Sequence, residues 1–144
     1  MRYMGDNSAA EDVLQDGFVT LFTKINTFSD SGSFEGWARK IFVNAALMSL
    51  RKNNALKNSE DLEEVKNLSS DEPTQVEDLG YKEIMKMVSS LPVGYRTVFN
   101  MYVVEGFSHN DIAEALGITS ATSRSQLQRA RMLLQEMIKN GKEV

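Results

Sequence analysis

Between Thr119 and Gln135 the chain carries three arginines, Arg124, Arg129 and Arg131, and no acidic residue. Thr122, Ser125 and Gln128 are interleaved with them. Arginine and glutamine can pair bidentately with base edges in a major groove, and hydroxyls and further arginines suit phosphate oxygens. The set has the composition of a recognition helix for duplex DNA, so the chemistry in prospect is binding rather than bond-making. Competing chemistries lack their residues. The chain has no cysteine and one histidine, His109, with no second metal-ligand candidate beside it in the sequence. Neither a zinc site nor thiolate chemistry is expected. There is also no phosphate-cradling glycine loop and no Ser/His/Asp arrangement. Catalysis, a resident metal, a cofactor and a small-molecule substrate are therefore not expected.

A recognition helix needs a scaffold, and the residues before it describe one. Ser108-His109-Asn110-Asp111 has the S-x-x-D form of a capping box and opens a short helix over about 109–115. Leu116-Gly117-Ile118 then supplies a glycine able to adopt the left-handed conformation of a tight turn, and Thr119 stands where the next helix needs its cap. Ile112, Ala113, Leu116 and Ile118 sit at helix-turn-helix spacing, with Leu127, Ala130, Leu133 or Leu134, and Met137 as the inward face of the last helix. One position is unusual. Ser123 stands where this motif commonly has Val or Ile, which predicts looser packing or a hydroxyl bonded back to the backbone. Upstream, Leu91-Pro92 marks a boundary before a helix from Val93 to Glu105, and Tyr81, Ile84, Met85 and Val88 signal another.

The formal net charge of −4 argues against a nucleic-acid binder until it is divided along the chain. Lysines and arginines number six against six acids over 1–55, four against nine over 56–90, and six against five over 91–144. The acidity therefore lies in the middle, and the terminal segment presents a positive stripe. No apolar run approaches the ~18 residues of a membrane span, and the first residues lack a secretory h-region, which predicts a cytoplasmic protein without membrane insertion.

The first fifty residues read as two helices. Over 8–25, Ser8 is a candidate cap, acids follow in the first turn, and Leu14, Phe18, Leu21, Phe22 and Ile25 form an apolar stripe, with Asp12, Gln15 and Asp16 opposite. Ser29-Asp30-Ser31-Gly32-Ser33 breaks the pattern. A second helix from Phe34 carries Phe34, Trp37, Ala38, Ile41, Ala45 and Met48 on one face and ends in Arg51-Lys52-Asn53-Asn54. The expected architecture is all-α: two small helical modules, 1–54 and 81–144, joined by an acidic linker over 55–80.

Ala10-Glu11-Asp12-Val13-Leu14-Gln15-Asp16-Gly17-Phe18, then Phe34 to Asn44, then Leu50-Arg51-Lys52, resembles region 2 of extracytoplasmic-function (ECF) sigma factors of bacterial RNA polymerase. Leu91-Pro92, Gly106-Phe107-Ser108, Ile112-Ala113 and Ser123-Arg124-Ser125 through Arg129-Ala130-Arg131 are similar to region 4 of the same family, a winged-helix-like helix-turn-helix. The resemblance implies a dissociable specificity subunit that binds core RNA polymerase and promoter DNA and is held in check by an anti-sigma factor. It implies core-polymerase contacts at Asp12, Gln15 and Asp16. At the minus 10 element it implies a role for the loop bearing Phe28, Ser33 and Phe34 and for Asn44 on the following helix, where a flipped base is held. Strand opening needs such an aromatic, hydrogen-bonding pocket, and Arg39, Lys40, Arg51 and Lys52 are suited to the phosphates. Trp37 is expected mainly in the core. At the minus 35 element the resemblance implies Thr122, Arg124, Ser125, Gln128, Arg129 and Arg131.

Two other readings stay open at this point: a free-standing helix-turn-helix regulator that dimerises through its N-terminal helices, and a sigma-like protein that only titrates polymerase or an anti-sigma factor. The resemblance also implies a further helix upstream in region 2. Burial of a Phe or Leu is worth ~1.5–3 kcal/mol, so without that cover the N-terminal module is expected to be marginal. A chain trimmed at its start, a start codon placed too late, and a surface supplied by another chain all remain open.

Overall fold

A computed structural model describes residues 2–29, 32–52 and 80–142. Most of the expected linker, and residues 30 and 31 of the first loop, lie outside the described residues. Among those described, the secondary structure is entirely helical. The chain forms two compact units, one built on the first two helices and one on the last four. No helix among the described residues is long and apolar enough to cross a membrane.

Helix α1 runs Asn7–Lys24 and ends in a 3-10 turn at Ile25–Thr27. Its cap is Asp6, not Ser8: Asp6 is extended and its carboxylate accepts from the Ala9 N–H at 2.8 Å, while Ser8 already lies inside the helix. The earlier start also moves Glu11 and Asp12 out of the first turn. Helix α2 runs Phe34–Lys52 and packs against α1.

The seam between these helices differs from the expected one. On α1 the buried row is Ala10, Val13, Gly17 and Leu21, whereas Leu14, Phe18 and Phe22 are 51%, 46% and 68% exposed and Ile25 is exposed as well. The cause is close approach. The Phe42 ring of α2 lies directly over Gly17, in space that a β-carbon there would occupy. Gly17 therefore takes the ring and Phe18 flanks it, meeting the edge of Phe42 at a centroid distance of 5.1 Å. On α2 the fully buried residues are Val43, Ala46, Leu47 and Leu50. Trp37, Ala38, Ile41 and Ala45 of the expected stripe are half-buried, and its ends, Phe34 and Met48, are exposed.

The second unit contains α3 (Tyr81–Ser90), α4 (Val93–Phe99, continuing as a π-helical turn Asn100–Val104), α5 (His109–Leu116) and α6 (Ser120–Lys142). Val88 is the one position of the α3 pattern that is fully buried, and Tyr81 and Ile84 are exposed. Helix α6 is the hub, packing against α3, α4 and α5. Leu91, Val98, Met101, Ile112, Leu127 and Ala130 are buried in this unit. No strand forms among the described residues, so the likeness to winged helices lies in the helix-turn-helix itself.

Candidate nucleic-acid interfaces

The turn between α5 and α6 forms as the local sequence predicts. Ser108 and Asp111 close a reciprocal capping box: the Ser108 hydroxyl accepts from the Asp111 N–H at 3.1 Å, and the Asp111 carboxylate accepts from the Ser108 N–H at 3.2 Å. Gly117 caps the other end of α5 in the left-handed region, at φ 68° and ψ 32°, where a β-carbon would be strained. Thr119 then accepts from the Thr122 N–H at 3.1 Å and starts α6. These local bonds fix where α5 ends and α6 begins.

Five of the six predicted contact residues on α6 are exposed, and Thr122 is half-buried. Helical spacing sorts them into two rows. Arg124, Gln128 and Arg131 lie at i, i+4 and i+7; Thr122, Ser125 and Arg129 lie at i, i+3 and i+7 on the neighbouring flank. In the first row Arg124 spans back to the Ser120 hydroxyl at 3.4 Å, a long bond that an incoming acceptor can replace. The second row is more engaged. The Ser125 hydroxyl donates to the Thr122 carbonyl at 3.0 Å, the Thr122 and Thr119 hydroxyls meet at 2.9 Å, and Arg129 donates to the Tyr95 hydroxyl of α4 at 3.2 Å. That last bond raises the Arg129 pKa above its ordinary value, so the guanidinium stays charged. The first row is thus the freer of the two, and the second is tied to neighbouring groups.

In the first unit, the exposed face of α1 carries Asp12, Gln15 and Asp16 at i, i+3 and i+4. Val19, at i+7 from Asp12, and Leu14 border them, and both are exposed. The result is a mixed acidic and apolar helical surface. At the start of α2, Phe28, Phe34 and Trp37 form a three-ring cluster, with centroid separations of 5.4, 5.2 and 5.7 Å. Trp37 is half-buried within that cluster and Phe34 is exposed at its rim. Ser33 serves the helix: its hydroxyl accepts from the Gly36 N–H at 3.3 Å, and its carbonyl accepts from the Trp37 N–H. Arg39 is paired with Glu35 one turn earlier at 2.7 Å, an exposed ion pair of small energetic weight. Lys40, Asn44, Arg51 and Lys52 are exposed on α2.

Comparison with known proteins agrees with this two-part layout. A family profile described as Sigma-70 region 2 matches residues 1–56, and one described as Sigma-70, region 4 matches residues 81–134. The chain belongs to the sigma-70 family. Within it, several relatives are named as ECF sigma factors. The ECF RNA polymerase sigma factor SigE of Mycolicibacterium smegmatis is 26% identical over 95% of this chain. The ECF RNA polymerase sigma-E factor of Haemophilus influenzae is 27% identical, also over 95%. The chain spans 54% of the length of the first and 78% of the second. Among solved structures, the sigma factor RpoE of Bartonella quintana, in complex with the anti-sigma factor NepR, matches 96% of this chain and 86% of its own, with 26% identity and a TM-score of 0.61.

Region 4 of this sigma factor also uses residues that sequence reasoning passed over. Arg96 is buried and donates to the carbonyls of Ser89 at 2.8 Å and Leu91 at 3.4 Å, pinning the end of α3 against α4. Its burial lowers its pKa from the ordinary value. Tyr95 was legible only as an apolar-tolerant helix position, because its partner Arg129 lies two helices away. Ser123 neither packs loosely nor turns back to the backbone. It is fully buried, and its hydroxyl meets Nδ1 of His109 at 2.9 Å. The expectation of a loose or back-bonded Ser123 is corrected, and His109 supplies its partner.

Proposed function

We propose that this chain is a promoter-specificity subunit of the ECF type: it binds core RNA polymerase, reads minus 10 and minus 35 elements, and starts DNA-templated transcription from the promoters it selects. The observation that carries the reading is the joining, in one chain, of a region 4 with an exposed Arg124, Gln128, Arg131 row and a region 2 with an aromatic loop cluster. A simple repressor needs only the former.

The division of labour follows from chemistry. Asp12, Gln15 and Asp16, bordered by exposed Leu14 and Val19, suit docking on a helical, partly basic surface of polymerase. Burial of each large apolar side chain there would add ~1.5–3 kcal/mol. The Phe28, Phe34 and Trp37 rings give unstacked bases of the minus 10 element something to stack on, and Asn44 offers an amide for a base edge. Ser33 acts chiefly by capping the helix that carries the site. Lys40, Arg51 and Lys52 serve phosphates, and Arg39 can join them by exchanging Glu35 for a phosphate. On α6, Arg124, Gln128 and Arg131 read bases, while Thr122, Ser125 and Arg129 hold the backbone. Residues 1–54 and 81–144 are the two working modules, 55–80 the tether, and the cytoplasm the site of action. An anti-sigma factor completes the set of partners, a reading supported by the NepR complex of the related sigma factor.

Run-off transcription from a pool of genomic fragments, with core polymerase and this chain added together, tests the reading. Discrete transcripts dependent on the chain are expected. Tight duplex binding by the chain alone without any run-off would assign it to the repressors. Stable core binding without initiation would make it a titrating protein.

A further inference from the structure

His109 lies outside the recognition helix and belongs to none of the contact sets above. It nevertheless sits at the junction of three elements. From the first turn of α5, its ring stacks on Tyr102 with centroids 4.4 Å apart and planes 17° from parallel. Its Nδ1 meets the hydroxyl of Ser123 on α6, which has 0% exposure. Tyr102 in turn is presented by the π-helical turn Asn100–Val104, whose wider winding is followed by Gly106 at φ 77° and closed by a bond from the Phe107 N–H to the Met101 carbonyl at 2.9 Å.

A buried hydroxyl without a partner is destabilising, and no apolar side chain at position 109 can supply one. Ser123 is also the immediate neighbour of Arg124, so the bond fixes the helix one residue from a base-reading group. Ring stacking limits sliding of the imidazole, and the hydrogen bond sets rotation of α6 about its axis. An apolar contact at position 123 would hold α6 by contact area alone and tolerate small rotations.

We propose that His109 is a positioning residue for sequence recognition: through Ser123 it sets the rotation of α6, and hence the aim of the Arg124, Gln128, Arg131 row, without itself touching a base. The proposal rests on the reading of region 4 as a duplex reader. The test uses the full chain with core polymerase on a duplex library with a randomised minus 35 window, sequenced after binding. His109→Phe keeps the ring stack and deletes the hydrogen bond. His109→Asn places an amide atom near the Nδ1 position and can restore it.

Wild type should enrich a defined motif. His109→Phe should reduce its preference over random duplex about tenfold, corresponding to ~1.4 kcal/mol, while binding to random duplex stays unchanged. His109→Asn should recover most of the preference. A motif as sharp in His109→Phe as in wild type would overturn the proposal, as would an equal loss on all duplexes, which marks a general structural defect. Should His109→Phe fail to fold, Ser123→Ala removes the same bond with little change in volume and carries the same expectations. If wild type itself enriches no motif, the duplex-reading assignment of region 4 fails, and this inference with it.

Discussion

At the scale of single residues, position within the two rows of α6 matters more than charge. Arg124 has its hydroxyl partner at 3.4 Å and is free to turn toward a base edge, whereas Arg129 is tied to Tyr95. Arg124→Ala should cost ~1–3 kcal/mol at particular minus 35 positions and little at others, measured by competition among single-base promoter variants. A uniform loss across all variants would move Arg124 to the phosphate set. His109 offers a second residue-level measurement, because it is the only histidine and its ring protons can be followed by NMR without assignment ambiguity. Its pKa is lowered from 6.5, first by desolvation and then by the positive charges of Arg124 and Arg131. The unfolded chain therefore takes up this proton at higher pH than the folded one. The stabilisation is complete above the unfolded value and is lost as pH falls through the folded value. A titration midpoint below 6.5 is expected, together with a loss of region 4 stability on acidification that His109→Phe diminishes. A midpoint at or above 6.5 would contradict the environment described.

At the scale of elements, the two modules are held by different means. In region 4, caps and turns carry much of the specification: the Ser108–Asp111 box, left-handed Gly117 and Thr119 are all local. In region 2 the deciding feature is contact between helices, with Gly17 making room for Phe42. An alanine in mid-helix is intrinsically worth ~1 kcal/mol over glycine. Gly17→Ala should nonetheless destabilise region 2, because its methyl displaces the Phe42 ring and overpacking costs ~1–3 kcal/mol. Combined with Phe42→Leu, the same substitution should become neutral or stabilising. Denaturant unfolding followed by fluorescence of Trp37, the only tryptophan and a region 2 residue, reads this module selectively. Additive effects of the two substitutions would dismiss the proposed fit between them.

At the scale of the whole molecule, the proposed polymerase and duplex surfaces lie on separate units, α1 in one and α6 in the other. Separable defects are the consequence. Asp16→Lys reverses a charge on the exposed α1 face and should weaken retention of the chain on immobilised core polymerase several-fold. Duplex binding by the same variant should stay at the wild-type level. Unchanged retention would remove Asp16 from the polymerase-binding face, and a parallel loss of duplex binding would indicate that the units do not act independently. The uneven charge distribution fits this separation, with acids concentrated over 56–90 and a positive stripe near the C-terminus.

The sequence alone determined the all-α class, the sigma family and the helix-turn-helix, because caps, a left-handed glycine and helical periodicity act over a few residues and leave their marks in order along the chain. It also put the candidate α6 contact residues on one helix, where five of the six are exposed. It could not choose the buried seam of α1 and α2. Periodicity ranks side chains by apolarity and so pointed to Leu14, Phe18 and Phe22, while the interface buried Ala10, Val13, Gly17 and Leu21, with Gly17 letting Phe42 approach. Nor could it join His109 to Ser123, Arg129 to Tyr95, or Arg96 to the end of α3. Those bonds depend on angles between helices, which the packing of side chains from distant segments decides. Only the tertiary structure joined an odd serine and a solitary histidine into one hydrogen-bonded pair between α5 and α6.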